Sequence, residues 1–333
     1  MDAYDTTLAP RPFGLNNTGV ICYLNSFLQV LAGCTAFTRT VLDNAGYVAR
    51  TRTGQAVLQY IRAFAPQQLP EEGGPDISGL SARVLAALVL DLRARRPLVR
   101  FGGGQESASE ALIHLLDMME PPPGDGPDVG PEPEGIPRSP VTELFLHRFR
   151  CDLHCRRCHQ IVSKDTDNAV VFNLFHIDSL RDPPQTVADF SKAVRLQVSA
   201  TTDYGCPECK QKTEAVRIYS LSMVPEVIVC AFNLYTAFGS GARRARYFPE
   251  RLEFPAIDSG KLVFRLVGQV EHAGTLAGGH YWARGLRADG KVYVLNDTGV
   301  SPGRFEPTPE TYLLAYHYAG AEEVPSAAGA DPL

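Results

Sequence analysis

Gly14-Leu15-Asn16-Asn17-Thr18-Gly19-Val20-Ile21-Cys22-Tyr23-Leu24-Asn25-Ser26-Phe27-Leu28-Gln29-Val30-Leu31 is the stretch on which the reading of this chain turns. On a helical wheel started at Cys22, the residues Leu24, Phe27, Leu28 and Leu31 fall near the spacing i, i+3, i+4, i+7 and form an apolar stripe. Cys22, Asn25, Ser26 and Gln29 take the opposite, polar face. Gly19 and the Asn-Asn-Thr run before it break regular structure, so the pattern predicts a helix that starts at Cys22. A thiol on the polar face of a helix N-terminus sits in the positive end of the dipole. That position favours thiolate and lowers a free-cysteine pKa from about 8.5. A cysteine nucleophile is built in this way. The alternative is a small buried hydrophobe that begins a helix, which is the commoner fate of a free cysteine.

Composition limits what the rest of the chain does. The 333 residues are 44% hydrophobic and 21% charged, ordinary values for a soluble globular protein large enough to bury a sizeable core. A net charge of −5 predicts neither nucleic acid nor an anionic membrane as partner. No run of 18 apolar residues exists, and Asp2 and Asp5 stand where a leader would need an apolar segment. The expectation is an intracellular, monomeric protein of the cytoplasm or nucleus. Four of the eight cysteines form two Cys-x-x-Cys pairs, which without a secretory leader favours metal or catalysis over disulfides.

The chain changes character midway. Residues 13–120 read as mostly helical. Ile77, Leu80, Val84, Leu88 and Leu92 mark one amphipathic helix. Ala108, Ala111, Leu112, Leu115, Leu116 and Met119 mark another, with Ser107 and Glu110 spaced as a capping box. The proline-rich run 121–140 cannot pack a core and reads as a disordered insert. Strand patterns follow at 141–149, 169–176, 193–199, 214–222, 226–235, 261–271, 280–284, 291–295 and 312–318. Helices followed by strands predict an α+β fold.

Cys155-Arg-Arg-Cys158 and Cys206-Pro-Glu-Cys209 supply two thiolate pairs. Two residues between cysteines let both sulfurs turn onto one ion, and four thiolates complete a closed tetrahedral zinc site with a structural role. The alternative is four unliganded thiols. Cys151 is a nearby decoy, and neither His154 nor His159 is expected to bind. Of the eight histidines, His114, His147, His176 and His317 read as structural. His280 differs, because Gly278 and Gly279 precede it and let an extended peptide approach closely. The strand after it ends at Asn296-Asp297, which can return to the ring.

Several of these segments together resemble the ubiquitin-specific proteases, a papain-like family of cysteine deubiquitinases. Gly14-Leu15-x-Asn17-x-Gly19-x-x-Cys22-Tyr23-x-Asn25-Ser26-x-Leu28-Gln29 resembles the family's cysteine box. Gln105–Leu112, Val224–Val229, His272-Ala-Gly274 with Gly278-Gly279-His280-Tyr281, and Leu295-Asn296-Asp297-x-x-Val300 resemble its later motifs, in order, across residues 13–318. The resemblance implies a tail at 1–12 and a catalytic domain at 13–320. Within it lie a helical thumb at 13–140, β-rich zinc-binding fingers at 141–223 and an antiparallel β palm at 224–320. A loose tail at 321–333 follows. It implies Cys22 as nucleophile, His280 as base, Asn296 orienting His280 with Asp297 assisting, and Asn17 donating to the oxyanion. Asp297 as the main partner of His280, and Asn17 as a plain turn residue, stay open as alternatives. The implied activity is thiol-dependent hydrolysis after the C-terminal glycine of ubiquitin, with ubiquitin and ubiquitinated proteins as partners.

Three positions depart from the family pattern, and the last two bear on substrate. Val20-Ile21 stand where the family often has Asn-Thr. Ser107 stands where an acid often binds the basic ubiquitin tail. Asn233-Leu234-Tyr235 replaces a Lys-Arg-Phe. The loop 236–247 carries Arg243, Arg244 and Arg246, either over the modifier tail or simply solvated. A weakly active or inactive ubiquitin-binding module, and an isopeptidase for another ubiquitin-like modifier, are the alternative readings.

Overall fold

Cys22–Gly33 forms helix α1, and every residue in it is buried. The helix starts where the pattern predicts, and its apolar stripe lies in the main core. The polar face differs from expectation: Asn25, Ser26 and Gln29 are each 2% exposed. Their hydrogen-bonding groups turn inward. Ser26 Oγ donates to Tyr23 O, and Gln29 Nε2 donates to Phe13 O at 2.8 Å. A polar face can be buried when its groups find protein partners, and here those of Asn25 and Gln29 lie outside the helix window that the wheel displays.

The computed structural model describes residues 4–64, 79–102, 104, 106–122, 139–174, 190, 204–232, 247–256, 260–275 and 278–322. The remaining helices are α2 (Thr35–Asp43), α3 (Ala45–Val48), α4 (Arg52–Phe64), α5 (Leu80–Arg95), α6 (Ala108–Met119) and α7 (Pro140–Glu143). Helices α4, α5 and α6 pack on one another, and α5 and α6 pack on α1. Helix α6 begins as predicted, with Ser107 Oγ accepting the Glu110 backbone N–H at 3.4 Å.

Strands follow: β1 (Arg148–Cys155), β2 (Ile161–Asp165), β3 (Phe172–Asn173), β4 (Tyr204–Gly205), β5 (Lys212–Thr213), β6 (Ala215–Met223) and β7 (Val227–Ala231). Then come β8 (Arg251–Pro255), β9 (Lys261–Thr275), β10 (Gly278–Leu286), β11 (Val292–Asn296), β12 (Gly299–Gly303) and β13 (Thr311–Glu322). Among the described residues, one sheet runs β12-β11-β10-β9-β13-β7-β3 with β8 also paired to β9. A smaller sheet runs β2-β1-β6, and β4 pairs with β5. All of these pairings are antiparallel except β3–β7. The fold is α+β, helices first.

The expected strand 141–149 is corrected. Residues 140–143 form α7 instead, and β1 begins only at Arg148. Pro140 sits in the first turn with its φ preset, and Ser139 Oγ accepts the Thr142 N–H at 3.1 Å. This start signal outweighs the strand propensity of the residues after it. The expected strand 193–199, Ile77, Gln105, most of the run 121–140, His176, Asn233–Tyr235, Arg243, Arg244, Arg246 and most of the C-terminal tail lie outside the described residues. No helix among the described residues is long and apolar enough to cross a membrane.

Helix α1 crosses β10 and β9. Arg287, just past β10 and fully buried, fixes that crossing by donating to Gln29 Oε1 at 2.6 Å and to Gln29 O at 3.2 Å. Its guanidinium also lies over the Phe13 ring, 5.6 Å from the centroid. Burying a cation without a carboxylate is costly unless its N–H groups are used, so these contacts specify the register of helix on sheet.

Candidate active site

Cys22 opens α1 and is 4% exposed. The loop before it is shaped by Asn17, whose Oδ1 accepts the backbone N–H groups of Gly19 at 3.2 Å and Ile21 at 3.3 Å. The sulfur meets β10: the Tyr281 backbone N–H is its leading hydrogen-bond donor. Tyr281 directly follows His280, so the helix start and the base candidate are brought to one place. Burial pushes the Cys22 thiol above its ordinary value, the Tyr281 N–H pulls it back, and the Asp297 carboxylate pushes it up again. This is opposite to the direction expected from the helix dipole alone. The reason is the lid formed by β10, which removes water from the sulfur and costs the thiolate its hydration.

His280 pairs with Ala273 in the β9–β10 ladder and is half-buried. Its Nε2 lies 2.6 Å from Asn296 Oδ1, at the end of β11. An amide oxygen only accepts, so this contact places the proton on Nε2 and leaves Nδ1 as the basic nitrogen. Asp297 turns elsewhere. Its Oδ2 accepts from Asn17 Nδ2 at 3.0 Å, and its Oδ1 accepts from Asn25 Nδ2 at 2.8 Å. The Asp297 carbonyl accepts the Leu15 N–H at 2.8 Å. Asp297 holds a left-handed φ of 51°, which aspartate tolerates better than most residues. The loop and this turn approach so closely that a Cβ on Gly14 would lie 2.5 Å from Thr298 O.

Sequence reasoning thus named Cys22, His280, Asn296, Asp297 and Asn17, and the structure gathers them where α1, β10 and the β11–β12 turn meet. It missed Asn25, which ties Asp297 and, at 3.3 Å, Asn16 O to the helix. It also missed the carboxylate of Glu271. The alternation His280, Trp282, Arg284 along β10 was the available signal for a polar face there. His114, His147 and His317 are buried away from this place; His147 Nδ1 lies 3.1 Å from Phe145 O, and burial lowers its pKa.

The four cysteines form a second cluster. The sulfurs of Cys155, Cys158, Cys206 and Cys209 all lie within 4.8 Å of one another. Cys155 and Cys209 are 4.0 Å apart, and Cys158 and Cys206 are 3.7 Å apart. Tetrahedral sulfurs about 2.3 Å from a zinc ion would be about 3.8 Å apart, so the cluster fits. The two knuckles share one design. Cys155 N–H donates to Gln160 O at 2.9 Å and Cys206 N–H donates to Gln211 O at 3.0 Å. The residue after each second cysteine is left-handed, His159 at φ 59° and Lys210 at φ 56°. The backbone N–H of Cys158 is the main influence that pulls the Cys155 thiol down, to about 6. Cys151, His154 and His159 stand outside the cluster.

Known proteins match this arrangement. The model of the ubiquitin carboxyl-terminal hydrolase family matches residues 13–316. The chain belongs to that family. Ubiquitin carboxyl-terminal hydrolase 36 of Drosophila erecta is 24% identical over 327 residues, covering 91% of this chain and 28% of the fly protein. Ubiquitin carboxyl-terminal hydrolase 17-like protein B of Mus musculus is 26% identical over 294 residues, covering 86% of this chain and 59% of the mouse protein. The chain therefore spans only part of these relatives. Among solved structures, the SAGA Ubp8/Sgf11/Sus1/Sgf73 DUB module bound to ubiquitin aldehyde superposes with a TM-score of 0.70 at 17% identity. That match covers 97% of this chain and 71% of the matched one. It is a likeness of fold.

Proposed function

We propose that this chain is a cysteine deubiquitinase that hydrolyses the bond after the C-terminal glycine of ubiquitin. The observation that carries the reading is the contact of His280 Nε2 with Asn296 Oδ1, in a family member whose Cys22 sulfur sits against the residue next to His280. The proton of the Cys22 thiol passes to His280 Nδ1. Burial disfavours a lone thiolate, and an adjacent imidazolium offsets that cost, because opposite charges attract more strongly where water is excluded. The sulfur attacks the glycine carbonyl, and the oxyanion takes hydrogen bonds from the Cys22 backbone N–H and from Asn17. Asn17 Nδ2 carries two hydrogens; Asp297 holds one, which orients the amide so that the other can reach the substrate. His280 then gives its proton to the leaving amine. A water, deprotonated by the same nitrogen, releases the thioester, and the glycine carboxylate departs.

Zinc on Cys155, Cys158, Cys206 and Cys209 would act structurally, joining the β1–β2 and β4–β5 turns. The cysteines close the site with four sulfurs and leave no position for a reacting water.

A second reading has its own observation. The Ser107 hydroxyl is committed to capping α6 and to a 2.6 Å hydrogen bond with Tyr312 OH, which also meets Ser109 Oγ at 2.7 Å. A neutral hydroxyl cluster offers no charge to a basic modifier tail, which favours a ubiquitin relative. The deciding experiment is labelling with ubiquitin carrying a C-terminal electrophile, beside a panel of other modifiers. One ubiquitin adduct on Cys22, absent in Cys22→Ser, supports the first reading; an adduct only with another modifier supports the second. Ubiquitin binding without any adduct would make the chain a binding module and defeat both.

A further inference from the structure

We propose that Trp282 is a positioning residue for His280, a role that rests on His280 being the base of the reaction above. His280, Trp282 and Arg284 are alternate residues of β10 and share one face of the strand. The indole lies beside the imidazole with ring centroids 6.2 Å apart and planes within 22° of parallel. Its Nε1–H donates to Glu271 Oε2 at 2.6 Å. Glu271 stands opposite Trp282 in the β9–β10 ladder and is 1% exposed. The same carboxylate accepts from Arg284 Nε at 2.7 Å and from Thr308 Oγ1 at 2.7 Å. Arg284 continues to Glu306 at 2.7 Å. The indole is therefore held on its far side from His280 by a buried polar network.

That network acts on the orientation of the imidazole. The second side-chain torsion of histidine is broad, so one hydrogen bond does not fix the ring. Asn296 holds its Nε2 edge, and the indole face limits tilting out of that plane. Other titratable groups on the surrounding elements are Cys22 of α1, His272 and Glu271 of β9, Arg284 of β10 and Asp297 after β11. Of these, Glu271 is joined to the imidazole through the indole. The sequence shows none of this, because Glu271 and Trp282 meet only across a strand pair.

Trp282 is the single tryptophan of the chain, so its emission reports this contact without substrate. Protonated imidazole quenches a neighbouring indole. Emission should fall on acidification, and His280→Gln should abolish that transition. Emission indifferent to this pH change, or a transition that survives His280→Gln, overturns the proposal. In kinetics, Trp282→Leu should lower kcat/KM roughly tenfold to a hundredfold and move the acid limb of its pH profile. Trp282→Phe, which keeps a ring, should restore most of both. An unmoved limb in Trp282→Leu overturns the proposal even if activity falls. Should the ubiquitin probe label no form of the protein, the deubiquitinase reading fails, and the fluorescence titration still decides the pairing of Trp282 with His280.

Discussion

Asn17 and Asp297, 280 residues apart in the chain, meet through a 3.0 Å hydrogen bond between the amide and the carboxylate. The carboxylate is shared with Asn25 of α1, so one acidic side chain fastens the loop before Cys22 and the first turns of the helix to the β11–β12 turn. This separates the two residues of the Asn-Asp pair: Asn296 serves the histidine, and Asp297 serves the cysteine side of the site.

That division makes a kinetic prediction. Asn17→Ala should lower kcat by about 10² to 10³, the usual effect of losing one oxyanion donor. If Asp297 acts through Asn17, the Asn17→Ala, Asp297→Ala pair should lose much less than the product of the single losses. A double-mutant cycle on a fluorogenic ubiquitin substrate checks this. Strict multiplication of the two effects would sever Asp297 from Asn17.

The cysteine cluster predicts metal dependence. Purified protein should carry one zinc ion by mass spectrometry, and Cys206→Ser should lose it while Cys151→Ser should not. Structural zinc contributes on the order of 10 kcal/mol in small zinc fingers, so chelation should lower the melting temperature and expose the β1–β2–β6 sheet to proteolysis. Chelation that leaves melting unchanged would show the four thiols to be idle.

Stability should also fall at high pH. Burial pushes the Cys34 thiol up from 9.0 to about 12. The folded state then holds this proton more tightly than the unfolded chain does. The stabilisation is complete below the unfolded pKa near 9 and is lost as pH rises toward 12. At about 1.4 kcal/mol per unit, the loss reaches about 4 kcal/mol. Cys34→Ala should be less stable than the parent at pH 7 because of its cavity. The gap between them should narrow steadily in denaturant melts above pH 9, and a constant gap would contradict the linkage.

How much of this was legible depended on how local each cause is. The start of α1 follows from Gly19 and the spacing after Cys22, and the start of α6 follows from Ser107, so both were readable. The knuckles were readable because Cys-x-x-Cys is itself the ligand geometry. The strand pattern at 141–149 failed because Pro140 and Ser139 act on the backbone directly. β2 carries no buried residue and left a weak trace, and β8 buries only Leu252 and Phe254 in a five-residue strand. The burial of Asn25 and Gln29, the raised thiol of Cys22 and the Glu271–Trp282 contact arise from chain segments that meet only on folding. A helical wheel cannot display a partner such as Asp297, which lies 272 residues from Asn25.

The last prediction concerns the proline-rich run. Glu120, where α6 ends, accepts from Ser139 N–H at 3.2 Å, from Thr142 Oγ1 at 2.5 Å and from Tyr47 OH at 2.9 Å. The run therefore leaves and re-enters the fold at one buried point. Replacing residues 123–138 by a few glycines and serines should leave the melting temperature and kcat/KM close to the parent, since each halving of a loop changes closure by only about 0.6 kcal/mol. Glu120→Ala should behave oppositely. It strands the buried donors of Ser139 and Thr142, at about 1–3 kcal/mol for each one left unpaired, and the half-buried Tyr47 hydroxyl besides. Melting of the two variants side by side tests the pair, and a deletion that unfolds the protein would show that the run contributes contacts of its own.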